Sequence, residues 1–223
     1  MKPSKPTRAV LLDSLGTLVE LDSPVPRLHA ALQRLGFEVQ EERVVAAFGA
    51  EVAYYVEHHT EGRDQSTLAE LRSRCAAVFL DALRIPELPL PDAREALLSS
   101  LRFRAFEDAA PALRELRGRG LRLVVVSNWD CSLREVLADA GLLDLVDDAV
   151  SSAEAGAAKP DPAPFRAALA AARCEPDEAL HVGDSEENDL AGAREAGIRA
   201  VLLRRTGARD GEIAGLAELA AVL

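Results

Sequence analysis

Ala9-Val10-Leu11-Leu12-Asp13-Ser14-Leu15-Gly16-Thr17 opens on four apolar residues and closes on a polar turn with one glycine. A short continuous apolar run bounded by turn residues reads as a strand buried on both faces. The pattern recurs along the chain. Residues 121–126 stop at Ser127-Asn128, residues 179–182 stop at Gly183-Asp184, residues 200–203 lie near the C-terminus, and residues 145–150 are a further short candidate. Helical patterns fall between these runs, at residues 109–119, 133–140, 162–173 and 188–196, and Gly120, Gly141 and Gly197 close three of them. Strands alternating with helices predict right-handed βαβ crossovers. The expected fold class is therefore α/β, a Rossmann-like doubly wound parallel sheet.

Residues 21–101 break that rhythm. They read as helices at 24–35, 41–58, 66–83 and 92–101, separated by Gly36, Gly62 and the proline-rich stretch 85–91. About 80 residues of helix inserted after the first strand predict a separate small α-helical bundle. The expected division is a core of residues 1–20 and 102–223 with a helical insert of residues 21–101.

Composition narrows the function classes. The chain has 223 residues, enough for one large domain with an insert. At 48% hydrophobic and 28% charged it can form a packed core. Lys and Arg number 26 against 37 Asp and Glu, a formal charge of -11, which argues against a nucleic-acid partner. Cys75, Cys131 and Cys174 form no C-x-x-C pair, so neither a zinc site nor a disulfide framework is expected, and a cytoplasmic location fits. The apolar run at 9–12 is too short for a signal-peptide core or a membrane span, so no membrane partner is expected.

Ligands of open α/β sheets sit outside the carboxyl ends of the strands. Three runs end there in polar residues: Asp13, Ser127-Asn128 and Asp184. Two carboxylates in one crevice repel unless a proton or cation lies between them, and magnesium suits such a pair. Lys159 is the only lysine beyond the first five residues, and it precedes Pro160.

Taken in order, Asp13-Ser14-Leu15-Gly16-Thr17-Leu18, Ser127-Asn128, Lys159-Pro160-Asp161-Pro162 and Gly183-Asp184-Ser185-Glu186-Glu187-Asn188-Asp189 resemble the four motifs of the haloacid dehalogenase superfamily, mainly phosphatases. The insert is similar to that family's helical cap of the first type. The resemblance implies a magnesium-dependent phosphoryl-transfer hydrolase acting on a small phosphorylated metabolite, as a monomer or homodimer. Asp13 would be the nucleophile that forms an aspartyl-phosphate. Lys159 would hold both Asp13 and the phosphoryl group, and Ser127 and Asn128 would donate to phosphoryl oxygens. Magnesium would take Asp13, the Leu15 carbonyl and Asp184, with Asp189 a second-layer or water-mediated partner. Thr17 would support the nucleophile loop.

One residue departs from the pattern. Phosphatases of this superfamily carry an aspartate two residues after the nucleophile as general acid and base, and this chain has Leu15 there. Leucine transfers no proton, and general acid–base help is worth about 10²–10⁴ in rate. The dehalogenase branch lacks the Gly-Asp pair kept here at 183–184, and the phosphonate-cleaving branch needs a cap lysine that residues 21–101 do not contain. The alternative is a catalytically silent binding or regulatory protein. His58 and His59, at the end of a predicted helix, are candidate replacements for the proton carrier. His181, inside a strand, reads as a core histidine.

Overall fold

The structure, a computed structural model, describes residues 6–223; residues 1–5, with Lys2 and Lys5, lie outside it. Its strands are β1 (Ala9–Leu12), β2 (Val19–Asp22), β3 (Arg102–Ala105), β4 (Arg122–Ser127), β5 (Asp148–Ser151), β6 (Ala179–Gly183) and β7 (Arg199–Leu202). Five of them form a parallel sheet in the order β5-β4-β1-β6-β7. Every residue of β1 and β6 is buried, as the unbroken apolar runs require of strands covered on both faces.

The described residues form two compact units, one of them Leu21–Phe103 and the other the rest of the described chain. The first is all helix apart from its ends: α1 (Val25–Arg34), α2 (Glu41–His58), α3 (Gln65–Leu83) and α4 (Leu90–Ser100). Leu28, Leu32, Leu71, Phe79, Leu83 and Leu97 are among its buried core residues. Asp64 starts α3 by accepting the Thr67 N–H at 2.9 Å, while Thr67 Oγ1 accepts the Asp64 N–H, a reciprocal cap.

In the other unit the helices are α5 (Ala109–Gly118), α6 (Leu133–Asp139), α7 (Ser152–Ala155), α8 (Pro162–Ala172), α9 (Gly192–Glu195) and α10 (Leu219–Val222). Residues of one strand parity, Ala9, Leu11, Val124 and Val126, pack with Phe165, Ala168 and Ala193 from α8 and α9. Val10, Leu12 and Val125, of the other parity, point to the opposite face and are fully buried there. Parallel strands and flanking helices make this an α/β Rossmann-like core, as expected. Among the described residues no helix is long and apolar enough to cross a membrane.

Three expectations are corrected. Residues 19–22 and 102–105 were given no strand, yet β2 and β3 pair as a two-stranded sheet. Val-Glu-Leu-Asp and Arg-Phe-Arg-Ala alternate apolar with polar, the period-2 signature that a four-residue strand barely displays. The return crossing accordingly falls after Phe103 rather than after Leu101, because β3 itself carries the chain back. The helix expected at 188–196 is a π-helical stretch, Glu186–Ala191, running into α9. The wide turn brings Asp189 inside, where it is 1% exposed.

Candidate active site

In the strand order β1 is central, with β4 on one side and β6 on the other, so consecutive crossovers run in opposite directions from it. That reversal opens a crevice at the carboxyl ends of the strands. Asp13 is the first residue past β1, and its N–H is held by the Val182 carbonyl at 2.9 Å. Ser127 ends β4, and Asp184 follows Gly183 at the end of β6.

Lys159 joins these strand ends. Its Nζ donates to Asp13 Oδ1 at 2.7 Å, to Asp189 Oδ1 at 2.6 Å and to the Val126 carbonyl at 3.1 Å. All three ammonium protons are thus used, on a side chain 2% exposed. Burial disfavours its charge, but the Asp13 and Asp189 carboxylates outweigh burial and raise its pKa. Ser127 Oγ adds a second donor to Asp13 Oδ1 at 3.0 Å. Asn128 turns its carboxamide onto the Lys159 backbone, donating to its carbonyl at 2.9 Å and accepting its N–H at 2.7 Å. The resemblance gives Asn128 to phosphoryl oxygens, whereas here its carboxamide is committed to the Lys159 backbone.

Asp189 is saturated with donors. Besides Lys159 it accepts from His181 Nε2 at 3.0 Å and from the Ser185 N–H at 3.0 Å. Burial opposes its charge, but the Lys159 ammonium and the His181 hydrogen bond hold its carboxyl well below the usual range. Because a carboxylate only accepts, His181 Nε2 is the donor in that bond. The ring also meets Phe165 edge-on at 5.0 Å. His181 is therefore a core histidine as expected, and also a partner of the site. Its place two residues before Gly183-Asp184 was the available signal, and strand alternation alone could not say which neighbour it faced. Gly183 is needed here, since a Cβ would lie 2.1 Å from the Asp189 Cγ.

Asp13, Asp184 and Asp189 each bring a carboxylate oxygen within 4.8 Å of the others. Three carboxylates against one ammonium leave an excess of negative charge. Asp184 shows it: burial first, then the Asp13 and Asp189 charges, push its pKa up to about 6. Asp13 is likewise raised, by burial more than Lys159 lowers it. Gly16, at φ 84°, passes so close to Asp184 that a Cβ there would sit 2.2 Å from its carboxylate. A sequence model of the haloacid dehalogenase-like hydrolases matches residues 7–197.

The chain belongs to that family.

The phosphoserine phosphatase of Thermus thermophilus is 32% identical over 209 residues, covering 90% of this chain and 83% of that protein. The bovine haloacid dehalogenase-like hydrolase domain-containing protein 3 is 42% identical over 101 residues, covering 45% of this chain but only 40% of that protein. Among solved structures, a phosphatase of the family from Thermococcus onnurineus matches with a TM-score of 0.63 at 26% identity, over 97% of each chain. Membership of the family makes the chain a haloacid dehalogenase-like hydrolase.

Of the residues read from sequence, Asp13, Ser127, Lys159, Asp184 and Asp189 converge at the strand ends, with Asn128 bracing Lys159. Leu15 lies in the same loop and is 45% exposed. His58 and His59 bond carbonyls of their own helix, Tyr54 at 2.9 Å and Val56 at 2.8 Å, which gives both a structural role in the helical unit.

Proposed function

We propose that this haloacid dehalogenase-like hydrolase is a magnesium-dependent phosphatase that works through an aspartyl-phosphate on Asp13. The observation that carries the reading is the bridge of Lys159 between Asp13 and Asp189, with Asp184 alongside. The donor set suits magnesium, a hard cation that takes carboxylate and carbonyl oxygens and keeps several waters. Asp13, Asp184 and the Leu15 carbonyl would hold it. The carboxylate of Asp189, already taken by three donors, would act through them or through water. When bound, the metal supplies positive charge that neutralises the phosphoryl group and favours in-line attack.

The chain's own residues set the rest. A carboxylate oxygen of Asp13 attacks phosphorus as the bond to the leaving oxygen breaks. Lys159, kept charged by its neighbours, offsets the charge on Asp13 and the phosphoryl oxygens. Ser127 Oγ can swing its single proton from Asp13 to the phosphoryl group. Water then attacks phosphorus, the bond to Asp13 breaks, inorganic phosphate leaves and the carboxylate is restored. Leu15 can deliver no proton to the leaving oxygen, so that proton comes from water. Substrates with leaving groups of low pKa are the class that tolerates this, such as aryl or acyl phosphates among small phosphorylated metabolites. Phosphate release across a metabolite panel, with magnesium and with chelator, tests the reading.

Leu15 favours a second reading, a binding or regulatory protein that turns nothing over. Leu15→Asp separates the two. On an alkyl phosphate the substitution is expected to raise turnover by about 10²–10⁴. On an activated aryl phosphate, wild type is expected to be active already. If neither protein releases phosphate from either ester, the silent reading stands.

A further inference from the structure

We infer that Arg205 is a positioning residue for the nucleophile loop. The inference rests on the proposed roles of Asp13 and the Leu15 carbonyl. Residues 13–19 form a turn closed from inside: the Ser14 carbonyl accepts the N–H groups of Thr17 at 3.2 Å, Leu18 at 2.7 Å and Val19 at 2.9 Å. The next carbonyls along the loop are held from outside. Arg205 Nε donates to the Gly16 carbonyl at 3.3 Å, Arg205 Nη2 to the Thr17 carbonyl at 2.6 Å, and the Phe106 N–H to the Leu18 carbonyl at 3.0 Å. No described residue donates to the Leu15 carbonyl. The peptide planes after Leu15 are thus fixed while its own oxygen is left for a cation.

Arg205 is itself clamped. Nη1 and Nη2 donate to Asp108 Oδ2 at 3.2 Å and Oδ1 at 3.1 Å. The guanidinium lies 3.6 Å from the centroid of the Phe106 ring. Asp108 also accepts the Leu216 N–H at 2.8 Å. A planar fork with donors in fixed directions can hold a carboxylate and two carbonyls together, and an ammonium cannot. The loop has little slack, since Gly16 stands less than a methyl group from Asp184. A displacement of that order moves the Asp13 carboxylate and the Leu15 carbonyl together.

The test compares wild type, Arg205→Met and Arg205→Lys in the full chain. Three readouts are taken: amide hydrogen exchange of the peptide spanning residues 13–19, calorimetric binding of magnesium chloride without substrate, and kcat and KM on an aryl phosphate. We expect both variants to exchange faster in that peptide while peptides of β4 do not change. Magnesium affinity and kcat should fall about 10-fold or more, the usual effect of losing a group that orients a metal ligand, with KM little altered. Arg205→Lys, which keeps the charge beside Asp108, should recover thermal stability without recovering magnesium affinity. Unchanged exchange in residues 13–19, or magnesium affinity and kcat within about twofold of wild type in Arg205→Met, overturns the inference. A wild-type chain that neither binds magnesium nor releases phosphate overturns the proposed function instead. The exchange data then decide whether Arg205 holds the loop.

Discussion

Replacing Lys159 by methionine keeps the length and apolar body of the side chain and removes its amine. Two carboxylates, Asp13 and Asp189, lose a donor at 2.7 and 2.6 Å, and the Val126 carbonyl loses one at 3.1 Å. Both acidic side chains are less than a tenth exposed, so water cannot replace the lost partner. Breaking a buried pair from one side costs about 3–5 kcal/mol. At about 2–4 °C per kcal/mol for a chain of this size, Tm should fall by about 6–20 °C in thermal unfolding with chelator present. The loss belongs to stranded charge, so it should be partly recovered by removing that charge. Lys159→Met combined with Asp189→Asn is expected to lose at least about 1 kcal/mol less than the two single losses added, within the range of coupling measured for contacting residues. Additive losses, or a Tm drop of less than about 2 °C for Lys159→Met, would refute this picture of a site neutralised by one amine.

Two further changes probe the packing behind the site and the helical unit. Gly183→Ala places a Cβ 2.1 Å from the Asp189 Cγ, so Asp189 must move off its donors; destabilisation by about 1–3 kcal/mol in denaturant unfolding and loss of phosphate release are expected. Glu51 in α2 is 6% exposed, and burial raises its pKa despite a hydrogen bond from Cys75. The folded state therefore holds the Glu51 proton more tightly than the unfolded chain. Its contribution is neutral in acid, where both forms are protonated, and turns unfavourable as pH rises through the unfolded value toward the raised folded one. Glu51→Gln should stabilise the protein at pH 7 and make little difference at pH 3, measured by urea unfolding at both.

Much of this arrangement could be read from residue order. Unbroken apolar runs ending in Asp13, Ser127 and Gly183-Asp184 sufficed to place three groups at one edge of a parallel sheet, because a parallel topology leaves those strand ends together. The burial of Lys159 was harder to see: lysines are ordinarily solvated, and only its scarcity in this chain and the motif around Pro160 distinguished it. What the sequence hid depends on distances across the chain. The partnership of His181 with Asp189 depends on a π-helical turn that period counting mistakes for an α-helix. The carboxamide of Asn128 found the Lys159 backbone rather than an open crevice. Arg205 reaches Gly16 across 189 positions, and no local pattern announces it. The strands β2 and β3 are four residues each, too short for alternation to stand out from a polar loop.

The central claim is that the water which ends each turnover attacks phosphorus, not the aspartyl carbonyl. Several turnovers of an aryl phosphate in heavy-oxygen water, with magnesium present, followed by mass spectrometry of both the released phosphate and the peptide containing Asp13, read this directly. The account predicts label in the phosphate and none in Asp13. Label in the Asp13 carboxylate, or unlabelled phosphate, would contradict it.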